Sequence, residues 1–356
     1  MPADLIQTVR GLIEPQQLGV TIAHEHLFID LRCLFDEASD PRSRSIADQP
    51  VHAVPRNELV YRPYRSRDNL LLDDEATAAE ELLAFRQAGG RSVVDLTVDG
   101  IAPDPERLQR LSRQTGVQII AGAGVYIARA HPAWVHHEPI EAIAERFIHA
   151  ARDGIAGTNV KAGVFGELGT SSPIEPDEVK VLRAAARAQH ATGLSINVHC
   201  ALWAREGLRA LDILAEEDVD LRKVALSHMD ELLDIDYHCA LAQRGAWLSF
   251  DTWGSSFDFG DHREPTDAER LEHLLRMIDA GFGGQILLSH DACTKLNLRR
   301  YGGNGLSHLL TDVMPRLQRA GATATMIDEL LVANPRRYLS GEISPPCGGP
   351  TNQAAR

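Results

Sequence analysis

Thr21-Ile22-Ala23-His24-Glu25-His26 reads as the end of a β-strand carrying two imidazoles on one face. Residues two apart on an extended chain share a side, so His24 and His26 point together and Glu25 points away. Two inward imidazoles at a strand end can bind one divalent cation. Taken alone, the pair can also be two buried histidines hydrogen-bonded to backbone. What the rest of the chain brings to the same place decides between the two.

Working outward, seven further β-rich runs follow at 92–98, 118–126, 159–167, 194–199, 224–228, 246–251 and 285–291. Helical patterns lie between and after them at 73–87, 105–114, 138–152, 176–190, 206–216, 231–244, 267–280 and 307–319. Pro105 and Pro176 fall where a first helical turn tolerates proline, and Gly193, Gly245 and Gly281 fall where helices should stop. Eight strands, each followed by a helix, predict a single α/β domain over residues 1–340, a (β/α)8 TIM barrel. A doubly wound open sheet is the alternative, and the lack of a GxGxxG turn after the first strand weighs against it. Residues 341–356, rich in Pro and Gly, are expected to form a loose tail. Long connections at 39–69, 253–264 and 292–305 fall on the face where the strands end, so they are expected to shape a substrate pocket.

The remaining strand ends settle the question raised by His24 and His26. The fourth run finishes at Glu167, the fifth at His199, the sixth at His228 and the eighth at Asp291. In a closed barrel these ends converge on one mouth. Four imidazoles and two carboxylates crowded together leave carboxylates repelling and imidazoles unpartnered, and two divalent cations resolve both problems. The predicted site is therefore a binuclear metal centre held by His24, His26, Glu167, His199, His228 and Asp291. Zinc is the expected ion, and manganese, cobalt or iron suit the same ligands.

Bulk composition fits this reading. The chain has 356 residues, 44% of them hydrophobic, with 36 Lys plus Arg against 50 Asp plus Glu for a net charge of −14. So acidic a chain is poorly suited to nucleic acid or an anionic membrane, and a small-molecule substrate is the expected partner. Cys33, Cys200, Cys239, Cys293 and Cys347 make an odd set without a CxxC pair, which argues against a disulfide framework and for a reducing, cytoplasmic setting. Residues 1–11 lack a secretory pattern, and no apolar run reaches the roughly 18 residues of a membrane span.

At these residues the chain resembles the phosphotriesterase-related group of the amidohydrolase superfamily, over about 11–339. The resemblance is carried by Gly19-Val-Thr-Ile-Ala-His-Glu-His-Leu27, Ala162-Gly-Val-Phe-Gly-Glu-Leu-Gly-Thr170, Val198-His199, Leu226-Ser-His-Met-Asp230, Leu288-Ser-His-Asp291 and Asn334-Pro335. It implies that His24, His26 and Asp291 hold a buried metal and that His199 and His228 hold a more exposed one. It also implies that a carboxylate and a hydroxide bridge the two. Where many members carry a carboxylated lysine, this chain offers Glu167, as in the branch typified by bacterial phosphotriesterase homology proteins; Lys161 stands too early. The proton-relay histidine of organophosphate-degrading members has no counterpart, since Thr252 follows Asp251. Relatives are often dimers, so a homodimer is expected by resemblance alone.

The mechanism this implies is attack by a bridging hydroxide on a carbonyl carbon. Asp291 is the expected proton carrier. Tyr126 is expected either to donate a hydrogen bond to the reacting oxygens or to be an ordinary core aromatic. Asp230 and Asp251 are candidates for orienting the histidines. The Glu-bridged branch leans toward carboxylic esters, so a lactone is the expected substrate. An N-acyl amide or a phosphotriester on the same site is the alternative. A mononuclear deaminase-like enzyme and a non-catalytic binding protein are further ones; the first would not need Glu167, and the second would need a closed ligand set. Lys295, Arg299 and Arg300, with Arg62, Arg65 and Arg67 in the long loop, can bind an anionic group or simply face solvent.

Overall fold

A computed structural model of the chain describes residues 5–37 and 41–342. Its centre is an eight-stranded parallel sheet: β1 (Thr21–Glu25), β2 (Ser92–Asp95), β3 (Gln118–Ala123), β4 (Val164–Gly169), β5 (Ile196–His199), β6 (Val224–Leu226), β7 (Trp247–Phe250) and β8 (Ile286–Leu288), each paired with its neighbour in sequence. The edges meet where Asp291 N donates to His24 O at 3.2 Å and His24 N donates to Ser289 Oγ at 2.9 Å. Glu25 fastens this seam. It is fully buried on the β8 side and accepts from Ser289 Oγ (2.8 Å), His290 N (2.8 Å), His290 Nδ1 (2.7 Å) and Ala292 N (3.0 Å). The sheet is therefore a closed (β/α)8 barrel.

The outer layer is α1 (Glu75–Gln87), α2 (Pro105–Thr115), α3 (Ile140–Arg152), α4 (Pro176–Thr192), α5 (Gly207–Glu216), α6 (Ile235–Gln243), α7 (Asp267–Asp279) and α8 (Met314–Arg319). Local chemistry sets their ends. Asp74 and Asp104 cap α1 and α2, Thr266 and Glu269 form a capping box on α7, and Gly193 closes α4 at φ +79°. The wide turn Leu309–Val313 that opens α8 lies just before Pro315, whose missing N–H a regular turn would require.

Inside the barrel, Ala23, Val94, Ile120, Val164, Ala225, Trp247 and Leu287 form one apolar cluster with Ile6, Leu18, Tyr338 and Leu339. The last four belong to segments without a sequence-based expectation. Ile6 comes from the hairpin Ile6–Thr8 with Gly11–Ile13, Leu18 follows the short turn Pro15–Gln17, and Tyr338 and Leu339 come from the helix Asn334–Ser340; together they close the amino end of the barrel. Tyr338 Oη donates to Ile196 O at 3.0 Å, and Asn334 Nδ2 donates to Gly283 O (2.9 Å) and Ile286 O (2.7 Å), tying that helix to the start of β8.

Several expectations about strand ends need correction, β2 and β3 among them, which stop at Asp95 and Ala123. β4 runs past Glu167 to Gly169, so Glu167 lies inside the strand, at a register shift between Phe165 and Leu168. Gly166 permits the shift: its φ is +140°, and a Cβ there would sit 2.4 Å from Asn197 O. β6 and β8 stop short of the predicted ends, at Leu226 and Leu288, and beyond them His228 (φ +63°) and Asp291 (φ +46°) adopt left-handed backbone, which cannot continue a ladder.

At the carboxyl rim the three long connections interlock. Lys295 N donates to Asn69 O at 3.0 Å, Leu296 N to Asn69 Oδ1 at 3.0 Å, and Asp258 N to Val60 O at 2.9 Å. Val51, Val54, Leu59, Phe257 and Leu296 form a small apolar cluster between them. Part of the predicted 39–69 loop, at 39–40, and the tail beyond 342 lie outside the described residues. Among the described residues, no helix is long and apolar enough to cross a membrane.

Candidate metal centre

All six predicted ligand side chains meet at the carboxyl mouth. A second register shift, between Ile22 and Glu25 of β1, accompanies the turn of His24 into the mouth although Ala23 beside it already faces the interior. His24 Nε2 lies 3.3 Å from His26 Nε2, 3.5 Å from Glu167 Oε2 and 3.6 Å from Asp291 Oδ1. His26 Nε2 is 3.4 Å from Glu167 Oε1 and 3.2 Å from Asp291 Oδ1. On the other side, His199 Nδ1 is 3.0 Å from Glu167 Oε2 and 2.8 Å from His228 Nε2. Glu167 thus presents one oxygen to His26 and the other to His24 and His199. The trios His24/His26/Glu167, Glu167/His199/His228 and His24/His228/Asp291 each offer ligand atoms within 4.8 Å of one another.

The donor chemistry suits cations. An ionised carboxylate only accepts, so the 2.8 Å and 3.0 Å contacts of Asp251 with His24 Nδ1 and His228 Nδ1 place a proton on each Nδ1. A neutral ring then carries a bare lone pair on Nε2, aimed into the cluster. Two such lone pairs and two carboxylates facing one another lack anything positive between them. Titration tendencies say the same. Burial opposes charge on His26, yet Asp291 and Glu167 hold it up to about 10. Burial likewise opposes charge on His24 and His228, and Asp251, Asp291 and Glu167 together outweigh it in both, raising them. Without metal, the cluster recruits protons where cations fit.

Behind the histidines lies a buried polar layer. Asp251, an orienting candidate from sequence, bridges His24 and His228 and also accepts from His228 N at 2.8 Å. Asp230 acts one step further back, accepting from Asp251 N (2.9 Å) and Thr252 N (3.1 Å). Its charge is met by Arg270 Nε at 3.1 Å, and the same guanidinium reaches Glu231 Oε1 (2.8 Å), Thr252 Oγ1 (2.7 Å) and Ser255 O (2.8 Å). Sequence reasoning missed Arg270, Glu231 and Glu264. A signal existed for the first: Arg270 occupies the same helical stripe as His273, Leu274 and Met277, all buried, and a charge on a buried stripe requires partners.

Glu264 is 5% exposed, and burial, reinforced by Glu231, pushes its carboxyl up to about 8 from an ordinary 4.5. The folded state therefore holds this proton more tightly than the unfolded chain. Its contribution to stability is complete below about 4.5 and lost as pH rises through about 8. Glu264→Gln should consequently gain melting temperature relative to the parent as pH is raised from about 5 to about 9. Thermal melts across that range check this, and a constant difference between the two proteins would contradict it.

Tyr126 is buried with its ring 4.9 Å from that of His199, and burial raises its hydroxyl well above the ordinary value, so it stays an O–H donor. Four of the six candidate anion-binding cations are engaged within the protein, while Arg62 is exposed and Arg300 lies 3.9 Å from Asp74. Lys295 Nζ pairs with Asp68 (2.5 Å), Arg299 Nε with Glu81 (3.2 Å), Arg67 Nη1 with Asp48 (2.9 Å) and Arg65 Nε with Asp36 (3.2 Å). They pin the rim loops together.

A closed parallel barrel with this cluster at its carboxyl mouth defines the class of barrel hydrolases with a candidate metal site. The chain belongs to the Phosphotriesterase family, whose model matches residues 4–339. Among curated relatives, the N-acetyltaurine hydrolases of Danio rerio and Homo sapiens are 35% and 34% identical over 341 residues, covering 94% of this chain and 97% of each relative. Among solved structures, a resiniferatoxin-binding protein from Rhodobacter sphaeroides matches with a TM-score of 0.94 and 40% identity, covering 96% of both chains. A lactonase from Listeria monocytogenes matches with a TM-score of 0.77 and 27% identity, covering 94% of this chain and 98% of the other.

Proposed function

We propose that this hydrolase cleaves the C–N bond of N-acyl amides, using two divalent ions. The observation that carries the reading is the position of Glu167, whose two oxygens face His26 on one side and His24 and His199 on the other. His24, His26 and Asp291 would hold one ion, His199 and His228 the other, and Glu167 both. When bound, such a pair supplies Lewis acidity at the acyl carbonyl and brings the ionisation of water toward neutral pH.

The chain's own residues supply the rest. Asp291 has a side chain 17% exposed against 3% for Glu167, and it lines the pocket, so it is the carboxylate of the cluster able to reach a substrate. It takes the proton from the attacking water and delivers it to the leaving nitrogen, without which an amine leaves poorly. Tyr126 donates to the acyl oxygen. Asp251 keeps the Nδ1 proton on His24 and His228. The sequence favoured a lactone over an amide. The order is reversed here because the N-acetyltaurine hydrolases, at 34–35% identity over nearly the full length, are named for an amide, whereas the lactonase is 27% identical.

The test is a matched panel on zinc- and manganese-loaded protein: N-acetyl amines, lactones of similar size and a phosphotriester. The amides should show the highest kcat/KM, and chelation should abolish turnover. Rapid lactone opening with inert amides would overturn the reading.

A further inference from the structure

We propose that the pocket beside Asp291 recognises a cationic amine on the substrate through Glu231 and Glu264, so that the compounds taken are N-acyl amides bearing a second, protonated amine. The position of the scissile bond rests on the amide-hydrolase reading; the amine subsite does not.

Two carboxylates line this pocket in addition to Asp291. Glu231 is 3% exposed; its Oε1 is taken by Thr252 Oγ1 (2.6 Å) and Arg270 Nη2 (2.8 Å), while its Oε2 is buried without any hydrogen-bond partner among the described residues. An unpaired buried carboxylate oxygen is expensive, and native proteins keep few of them without a reason. Glu264 uses Oε2 for Ser255 Oγ (2.6 Å) and Phe257 N (2.7 Å), and its Oε1 receives no hydrogen bond among the described residues. The pocket therefore offers one spare acceptor on Glu231 and a second on Glu264 once its proton is displaced, and asks for a ligand with several donors.

The walls favour a cation. Tyr64, Phe257 and Phe259 line the same pocket, with Tyr64 and Phe259 edge to face at 5.1 Å, and aromatic faces attract ammonium groups. No lysine or arginine lines it among the described residues. Arg270 lies behind, fully buried between Asp230 and Glu231, and Lys295 is paired with Asp68. A sulfonate or carboxylate in this subsite would meet no free basic side chain, whereas an ammonium group meets the spare oxygen of Glu231 and displaces the proton that burial holds on Glu264, so that both oxygens accept. The preferred amine half would therefore differ in charge from the taurine named for the curated relatives.

Two arms test this. In the first, kcat/KM of metal-loaded protein is compared for N-acetylputrescine, its neutral isostere N-acetylpentylamine, and N-acetyltaurine. The cationic substrate should lead the neutral one by at least about tenfold, and Glu264→Gln and Glu231→Gln should each collapse that ratio toward unity. In the second arm, calorimetry measures binding of butylammonium and of taurine, with no reaction involved. Butylammonium should bind and taurine should not, and both substitutions should weaken the binding. Glu231→Gln disturbs the Arg270 pair and can fail to fold. Glu264→Gln keeps an amide oxygen for Ser255 and Phe257, so it carries the test alone if necessary. A parent protein that prefers the neutral or sulfonated compound, or substitutions that leave the ratio and the binding intact, would overturn the amine subsite. Inert amides with butylammonium binding preserved would overturn only the amide reading.

Discussion

Glu167→Gln should strip the protein of its paired ions and lower kcat/KM by roughly a thousandfold or more, on the scale of removing a preorganised charge from a reacting centre. The substitution keeps the shape of the side chain and changes only its electronics. One oxygen becomes an NH2 group, a donor with no lone pair to offer. Glu167 presents Oε1 to His26 at 3.4 Å and Oε2 to His24 at 3.5 Å and His199 at 3.0 Å, so either orientation of the amide leaves one histidine set facing a donor. The charge lost is the one both sets share. Metal analysis after gel filtration should fall from two ions per chain to one or none, in step with activity. Two tightly retained ions with activity within a few-fold of the parent would remove Glu167 from the proposed role.

How far this site could be read from sequence depended on what kind of geometry each residue needed. His199, at the last position of its strand, required only strand alternation and the convergence of barrel ends, and it stands where expected. His24 and Glu167 also lie at the mouth, but strand alternation alone does not bring them there. Each sits at a register shift, and a ladder irregularity depends on tertiary packing rather than on a two-residue period. His228 and Asp291 reach the mouth through left-handed backbone, which neither residue type announces. Glu264 lies in a connection with no periodicity to mark it as buried. The closing hairpin and the helix Asn334–Ser340 escaped notice because three-residue strands and a helix entered through the wide turn Glu329–Ala333, just ahead of Pro335, give weak local signals. Asp251 was singled out, yet its hold on two histidines at once follows only from the spacing of β1, β6 and β7 around the closed barrel.

That double hold leads to an asymmetric outcome for Asp251→Asn. Asp251 is fully buried, and although burial alone would raise its carboxyl, His228 and His24 hold it well below the ordinary range. Oδ1 accepts from both the backbone N–H and Nδ1 of His228, at 2.8 Å and 3.0 Å, while Oδ2 meets His24 Nδ1 at 2.8 Å. An asparagine must keep its oxygen on the His228 side, because its NH2 group there would face a backbone donor that cannot change. The NH2 group is thereby forced against His24 Nδ1. His24 answers by moving its proton to Nε2, which removes the lone pair aimed at His26, Glu167 and Asp291. His228 keeps its tautomer. The expected result is selective loss of the ion at the His24 side, with affinity there down by about ten- to a hundredfold and the ion at the His199 side retained. Stepwise metal titration, or a spectroscopically active cobalt ion in each site, identifies which of the two sites is weakened. Equal weakening of the two sites would show that Asp251 acts through general packing instead of through the His24 tautomer.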